Sequence, residues 1–361
     1  MTIRSAPCVA GITVKQLAFM CSNQCSLACR HCCTGANSCD SMLLQKQSVL
    51  SAIDEASSLG ITHIAFTGGE PLGHCDDICN FVHHAHDRRC VTSIATCARN
   101  TKLMDEPEQT VHALRKAGLD RIGISWDRYH AGCDSDWNEI EHIIHLCRAS
   151  GMHVQINAVI PDRPDMADVR VERRLREFNV PYVKVPLSPF GRGRTMFSEH
   201  QLVSKSRSYC DVNCVCDMIG NLTYVSDGTL VPCCGTGMID AIHVKGAGLA
   251  NVLNLGNLYR ESLSDSLARS EASIFLTIMA TLGPMGFFLL DDQHVLRNDD
   301  RQWPERGCSV CQFCCFAAGS SDFQAFLGGL SACELELLPR LRRAREVLER
   351  WGLIAVPLQV P

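Results

Sequence analysis

The chain of 361 residues carries 34 lysines and arginines against 39 aspartates and glutamates, a net charge of −5 with the signs interspersed; nothing in this favours a nucleic acid or an anionic membrane as partner. Hydrophobic residues make up 46% and charged residues 20%, an ordinary globular balance in a length that allows one large domain and a smaller one. The departure is 23 cysteines behind an N-terminus, MTIRSAPCVAGITVKQ, that lacks the apolar run of a signal peptide: a cytoplasmic protein is expected, whose clustered cysteines are metal ligands or catalytic thiols rather than disulfides.

After a short segment, residues 1–13, strand-like apolar runs fall at Val14–Met20, His63–Thr67, Thr92–Thr96, Arg121–Ser125, His153–Ile160 and Tyr182–Leu187. Helical spacing lies between them at Ser48–Leu59, Glu106–Ala117, Asp136–Ser150 and Met166–Phe178. Strand–helix alternation repeated six times predicts parallel β/α units with right-handed crossovers. Six units are too few for a closed eight-stranded barrel, so the expected fold is α/β, a partial (β/α)6 barrel over residues 14–196 with its chemistry on the loops after the strands. No separate leader-binding domain is expected ahead of it.

The first such loop reads CSNQCSLACRHCC over residues 21–33. Cys25, Cys29 and Cys32 have the spacing C-x3-C-x2-C; three thiolates on one loop can hold three irons of a cubane and leave the fourth open. A structural zinc wants four closed ligands, and His31 or Cys33 offers the fourth, so spacing alone admits both metals. Cys21 repeats the first interval but its set does not end in C-x2-C, and Cys33 is expected to point away from Cys32. After the second strand, Gly68-Gly69 permits close backbone approach to a ligand, and Glu70 can accept a hydrogen bond from an ammonium group. Polar residues or a proline close the later strands: Thr96, Ser125 with Asp127, Asn157 and Pro186. Helix capping or strand termination explains Ser125, Asp127, Asn157 and Pro186 nearly as well as ligand contact.

From about Ser198 the rhythm stops, and residues 197–322 read as a small cysteine-rich domain. Asp227-Gly228 predicts a hairpin over Asn221–Cys233. Cys210, Cys214, Cys216, Cys233, Cys234, Cys308, Cys311, Cys314 and Cys315 gather here, and C-x2-C at Cys308–Cys311 with a distant pair suggests a four-thiolate site for zinc or iron–sulfur. If the hairpin holds, Cys233 and Cys234 face opposite sides. One of the two is then a ligand and the other a free thiol, able to donate a hydrogen atom or simply buried. The uncharged stretch Ser273–Leu290 should break at Gly283-Pro284 into two half-helices, or form a lid, rather than span a membrane. Residues 323–361 contain an amphipathic helix, Ala332–Trp351, in which Pro339 marks a kink or break.

The cysteine loop after strand one, with Gly68-Gly69-Glu70-Pro71 after strand two, resembles the radical S-adenosylmethionine (SAM) superfamily. Over most of the chain the pattern is similar to YydG-type peptide epimerases with a shortened SPASM/twitch-like auxiliary-cluster domain. The likeness extends to Ser125–Asp127 with Tyr129-His130, the Asp-Gly-x3-Pro-Cys-Cys hairpin and the late C-x2-C. The resemblance implies a [4Fe–4S] cluster on Cys25, Cys29 and Cys32 whose open iron binds SAM, with Gly68, Gly69, Glu70, Thr96, Ser125, Asp127, Asn157 and Pro186 around the SAM. It further implies an auxiliary [4Fe–4S] cluster on Cys216, Cys233, Cys308 and Cys311, with Cys214 or Cys314 as substitutes. A ribosomally synthesised precursor peptide would be the substrate, and flavodoxin or ferredoxin the electron donor. The implied reaction is L-to-D epimerisation: Cα hydrogen abstraction, then hydrogen return from Cys234. The sequence departs from the pattern at Thr96-Cys97-Ala98, where Thr-Asn-Gly is common, at Asn221, where an aspartate is expected, and in the additional Cys314 and Cys315. The last two departures keep open a thioether or carbon–carbon peptide cross-linking enzyme. A non-catalytic iron–sulfur electron carrier is the reading from another class.

Overall fold

The computed structural model describes residues 7–130, 136–161, 164–185, 187–197, 216–235, 253–291, 310–319, 321–332 and 334–350. A short hairpin, β1 (Cys8–Val9) and β2 (Ile12–Thr13), leads into six parallel strands that alternate with helices. These are β3 (Gln16–Ser22), α1 (Lys46–Leu59), β4 (His63–Gly68), α2 (Cys75–Asp87), β5 (Val91–Thr96), α3 (Lys102–Asp105), α4 (Pro107–Ala117), β6 (Arg121–Ser125), α5 (Trp137–Ala149), β7 (His153–Val159), α6 (Met166–Glu177) and β8 (Tyr182–Val185). This is the expected α/β partial barrel, and every strand ends within two residues of its expected bounds. The hairpin after it forms as β9 (Asn221–Tyr224) and β10 (Thr229–Val231), with Gly228 at φ 84° in the turn. Those strands enter the barrel's own sheet: β9 runs parallel to β3, and β11 (Gly256–Asn257) closes the order β11-β10-β9-β3-β4-β5-β6-β7-β8.

Strand alternation sorts the two faces of the sheet. Ile64, Phe66, Ile94, Ile122, Ile124 and Ile156 are at most 2% exposed and face the helices. Phe19 joins them, its ring 6.0 Å from Phe66 and 5.6 Å from Tyr224, and so locks β9 onto the barrel. The concave face carries Ala65, Thr67, Ser93, Ala95, Gly123 and Ser125 instead, small residues that leave room at the strand ends. Helix α2 has a weaker sequence signal, because three histidines and two cysteines dilute its pattern. Its buried stripe Ile78, Phe81, Val82 and Ala85 nonetheless has helical spacing.

Helices α1 and α4 end on glycines in the left-handed region, Gly60 at φ 89° and Gly118 at φ 98°. After α2 that conformation falls to Arg89, exposed and at φ 61°, whose N–H bonds the carbonyl of His86. A side chain there costs about 1–2 kcal/mol, offset in part by the chain entropy that glycine loses on folding. Arg89→Gly is therefore expected to stabilise the chain by about 0.5–1 kcal/mol, read as a higher midpoint in urea unfolding.

The apolar stretch breaks as expected, into Ile274–Thr281 and Pro284–Leu290 around Gly283 at φ 67°. Phe275, Phe287, Phe313 and Phe323 form one aromatic cluster, so both halves are core. Among the described residues no helix is long and apolar enough to cross a membrane. The last helix, Glu334–Arg350, runs through Pro339 without a break; the residue lies in the second turn, where it forfeits one backbone hydrogen bond.

Candidate functional site

A cavity of about 250 Å³ opens at the C-terminal ends of the parallel strands. Cys25, Cys29, Cys32, Gly68, Gly69, Thr96, Ser125 and Asn157 all line it, brought together from loops and ends of five strands. Glu70 and Asp127 are not on its wall. Pro186 lies outside the described residues, as do Cys210, Cys214 and Cys308.

The cysteine loop is held by backbone. Cys25 N–H bonds the Asn37 carbonyl at 3.0 Å, Gly69 N–H the Ser22 carbonyl at 2.6 Å, and Glu70 N–H the Gln24 carbonyl at 2.8 Å. Close approach at Gly68-Gly69 thus packs this loop against β4, and both glycines also line the cavity. A Cβ on Gly69 would stand 2.0 Å from the Gln24 oxygen, and one on Gly68 2.4 Å from the Ser22 oxygen. On the other side the turn Gly191–Met196 closes over the loop. Arg192 donates from Nε to the Cys29 carbonyl (2.9 Å), from Nη1 to Gly35 (2.7 Å) and from its backbone N–H to Cys32 (2.9 Å). Gly191 allows this contact, since a Cβ there would meet the Cys32 carbonyl oxygen at 2.5 Å.

A structural zinc wants four closed ligands. Cys25, Cys29 and Cys32 share one cavity wall, and three thiolates there can hold three irons of a cubane and leave the fourth open. Their chemistry is unequal. A hydrogen bond from Cys97 brings Cys25 down to about 6 against its burial, with backbone bonds from Leu27 and Ala28 assisting. Burial, then the charges of Cys25 and Cys32, push Cys29 up to about 11. Cys21 sits in the hydrophobic core and burial pushes it up to about 12. Cys33, expected to point away, lines the same cavity.

Glu70 is a keystone behind the wall, 5% exposed. Its Oε1 accepts the Leu72 N–H (3.0 Å) and the Thr96 hydroxyl (2.6 Å); its Oε2 accepts the Cys97 N–H and thiol, both at 2.8 Å. Thr96 in turn accepts the Ala98 N–H, so its hydroxyl is engaged within the protein. Ala98 stands at φ 63°, the backbone for which the glycine of a Thr-Asn-Gly sequence is suited. Asp127 is fully buried and accepts four donors: the N–H groups of Tyr129, His130 and Val159, and Nδ1 of His130 at 2.9 Å. Burial opposes its charge, but the His130 hydrogen bond and the charges of His130 and His31 outweigh it and hold the carboxyl below its ordinary range. His31, Asp127 and His130 come within 4.8 Å as a set, yet a carboxylate so saturated has little left for a cation. His31 and His130 both line the cavity, and the buried Nδ1 of His31 has no partner within the protein. Asn157 reaches across Gly123, where a Cβ would stand 2.9 Å from its Nδ2, and its Oδ1 accepts from Gln155.

A second thiol group lies elsewhere. Cys233 is buried, accepts the Gly235 N–H, and sits with the Cys311 sulfur against Gly235, whose Cβ would be 3.2 and 3.3 Å from the two. Cys216 and Cys314 neighbour them, and burial pushes Cys233 and Cys314 well above the ordinary thiol range. Burial pushes the Cys234 thiol up as well, and Cys216, Lys15 and Asp217 lie within electrostatic reach of it. Lys15 and Gly220 mark the start of β3 and β9, so this group stands at the opposite end of the sheet from Cys25–Cys32, a strand length of about 20 Å away.

Arg192 emerges only from the fold. His31, Cys97 and His130 are visible in the sequence, as an optional fourth metal ligand, a departure from Thr-Asn-Gly and part of a shared Tyr-His, and the fold adds that all three line the cavity. Phe190-Gly-Arg-Gly-Arg, a cation between glycines after the last barrel strand, is the one signal that marks Arg192 in the sequence.

Residues 20–171 match the profile of the Radical SAM superfamily. A GTP 3′,8-cyclase of Clostridium botulinum is 25% identical over 206 residues, 54% of this chain and 63% of that protein, so the chain spans less than two thirds of such curated relatives. Streptococcus suis SuiB bound to its precursor peptide SuiA superposes with a TM-score of 0.57 at 15% identity, over 84% of this chain and 77% of that one. SuiB bound to S-adenosylmethionine gives 0.53 at 15% identity, over 84% and 79%. The structural likenesses show the fold.

Proposed function

We propose that the chain, which carries a Radical SAM superfamily domain over residues 20–171 and is a radical SAM enzyme, modifies a ribosomally made peptide, with L-to-D epimerisation as the reaction. The observation that carries the enzyme reading is one cavity that joins the three spaced cysteines to the glycine-lined end of β4 and to Ser125 and Asn157. A [4Fe–4S] cluster and SAM are the cofactors of the family; when bound and reduced they supply a 5′-deoxyadenosyl radical that abstracts hydrogen. The chain supplies the rest. Cys25, Cys29 and Cys32 would hold the cluster and leave one iron for SAM. Gly68 and Gly69 keep the loop pressed to β4, and Arg192 closes it from the other side. Val159 and Val185 give the cavity an apolar wall toward β7 and β8, which keeps water from a reactive carbon. The shared fold with SuiB, which binds a precursor peptide, supports a peptide substrate. Cys216, Cys233, Cys311 and Cys314 support an auxiliary cluster, with Cys314 in addition to the set expected with Cys308.

Epimerisation requires a hydrogen returned to the carbon that lost it, the part proposed for Cys234. One observation favours a second reading. Cys234 stands at the far end of β3 from the cysteine loop, and a peptide cross-link needs no returned hydrogen. The test is anaerobic: enzyme, dithionite and SAM, then the peptide encoded beside the gene, in D2O. 5′-Deoxyadenosine is expected even without peptide, and its absence would leave only the electron-carrier reading. Epimerisation adds about one mass unit to the peptide and cross-linking removes about two, because the first replaces a hydrogen and the second discards a pair. Cys234→Ala should abolish the gain of deuterium while 5′-deoxyadenosine still forms; normal epimerisation by that variant removes Cys234 from the mechanism.

A further inference from the structure

A second pocket, of about 310 Å³, opens on the helix side of the sheet between α1 and the β9–β11 extension. Gln45, Glu55, Tyr224, Leu258, Tyr259 and Glu261 line it, and it shares no residue with the cavity of the cysteine loop. Tyr224 sets its character. The residue is 2% exposed and its ring is stacked on Phe19, yet its hydroxyl bonds no described residue. A phenol so deeply buried wants a partner for its one polar atom, and the pocket is where that partner would stand. Burial, then the charges of Glu55 and Glu261, push the phenol above its ordinary range, so it stays a hydroxyl.

The two carboxylates beside it differ. Glu261 is paired with Arg269 and accepts the Asn257 N–H at 3.1 Å. Glu55 accepts the N–H groups of Leu263 and Ser264, both at 2.8 Å, but among the described residues no lysine or arginine is paired with it. With those oxygens half engaged, a metal ion that wants six or more free oxygens is poorly served. A basic side chain is served well. Tyr259 is 40% exposed and its ring is fixed at both ends: its hydroxyl accepts the Gln45 N–H at 3.3 Å, and a Cβ on Gly228 would stand 2.6 Å from a ring carbon. Unpaired charge, a phenol oxygen, an aromatic wall and Leu258 for an aliphatic stem are what a guanidinium or ammonium on its chain requires. Resting on the reading of a peptide substrate, we propose that this pocket holds a lysine or arginine side chain of the precursor peptide. Gln45 follows Leu44, whose N–H bonds the Cys21 carbonyl at the C-terminal end of β3. The pocket therefore reaches the same end of the sheet as the catalytic cavity, on the other face, and an extended peptide at about 3.3 Å per residue passes over the rim from one to the other.

Titration calorimetry on the full-length, anaerobically reconstituted protein tests it, with acetyl-arginine amide as probe. Acetyl-citrulline amide, which keeps the shape and lacks the charge, is expected to bind at least about tenfold more weakly. Tyr224→Phe keeps the stack on Phe19 and removes only the hydroxyl; Glu55→Gln removes the unpaired charge. Each should weaken the arginine probe about tenfold, and Tyr224→Phe alone decides should Glu55→Gln loosen the fold. With the peptide encoded beside the gene, Tyr224→Phe should raise KM about tenfold while kcat stays within about twofold. 5′-Deoxyadenosine formed without peptide should not change. Failure of the arginine probe to bind wild type at about 10 mM overturns the proposal. So does equal binding of the citrulline probe, an unchanged KM in Tyr224→Phe, or normal modification of a peptide that contains neither lysine nor arginine. A wild type that cleaves SAM and leaves the peptide unmodified removes the peptide reading instead, and the arginine probe then still decides whether the pocket takes a basic side chain.

Discussion

Gly69→Ala is expected to fold and yet fail to hold the cluster proposed for the Cys25–Cys32 loop. The new Cβ would lie 2.0 Å from the Gln24 oxygen, 2.6 Å from its carbonyl carbon and 2.8 Å from that of Asn23. All three are backbone, so no rotamer relieves the clash and the loop must move by about an ångström. The move stretches the bonds from Gly69 N–H to Ser22 and from Glu70 N–H to Gln24, and Cys25 is the next residue. Misplacement on this scale costs about a hundredfold or more in rate. 5′-Deoxyadenosine formation should fall by at least that factor, with the iron of one cluster missing from the purified chain. Gly73→Ala is the control: it lies one turn on, its Cβ would meet nothing within 4 Å, and its effect should stay within about 0.5 kcal/mol. If Gly69→Ala cleaves SAM at the wild-type rate, the glycine does not serve the cysteine loop.

That glycine pair illustrates what the sequence discloses and what it withholds. Strand positions are legible because isoleucines and phenylalanines alternate with small residues at period two. The same parity assigns Ser125 and Asn157 to the cavity face, where both are found. The cysteine spacing is legible for a similar reason, being local to one loop. Contacts between loops are not. Gly68 and Gly69 are recognisable as a close approach, but the partner is Gln24, some forty-five residues back. Arg192 is farther still from Cys29, and no spacing rule connects them. Asp127 and Glu70 stand out as carboxylates at strand ends, yet both are turned inward and saturated by backbone and side-chain donors. Cys234 marks the same limit. Pleating separates it from Cys233, but only the register of β9 on β3 reveals that the pair lies a strand length from Cys25.

Glu70 yields the second large effect, because the two roles open to it predict opposite results in protein without cofactor. If its carboxylate serves chiefly to receive the ammonium of SAM, removing it weakens SAM binding and leaves the unliganded fold untouched. In the structure it already receives four donors from Leu72, Thr96 and Cys97, and these tie the turn after β4 to the end of β5. Glutamine cannot replace it. With the amide nitrogen at the Oε2 position it faces the N–H and thiol of Cys97; at the Oε1 position it faces the Leu72 N–H and a Thr96 hydroxyl already committed to Ala98. Either way one or two buried donors are orphaned, at about 1–3 kcal/mol each. Glu70→Gln should therefore lower the stability of cofactor-free protein by about 2–4 kcal/mol, and aspartate, one methylene short, should do no better. Urea unfolding of the apo chain measures this directly. A midpoint shift worth less than about 0.5 kcal/mol, together with weakened SAM binding, would return Glu70 to the role of ligand contact alone. A shift of the expected size would mean that Glu70 acts on SAM mainly by holding Cys97 and the glycine turn where the cofactor must meet them.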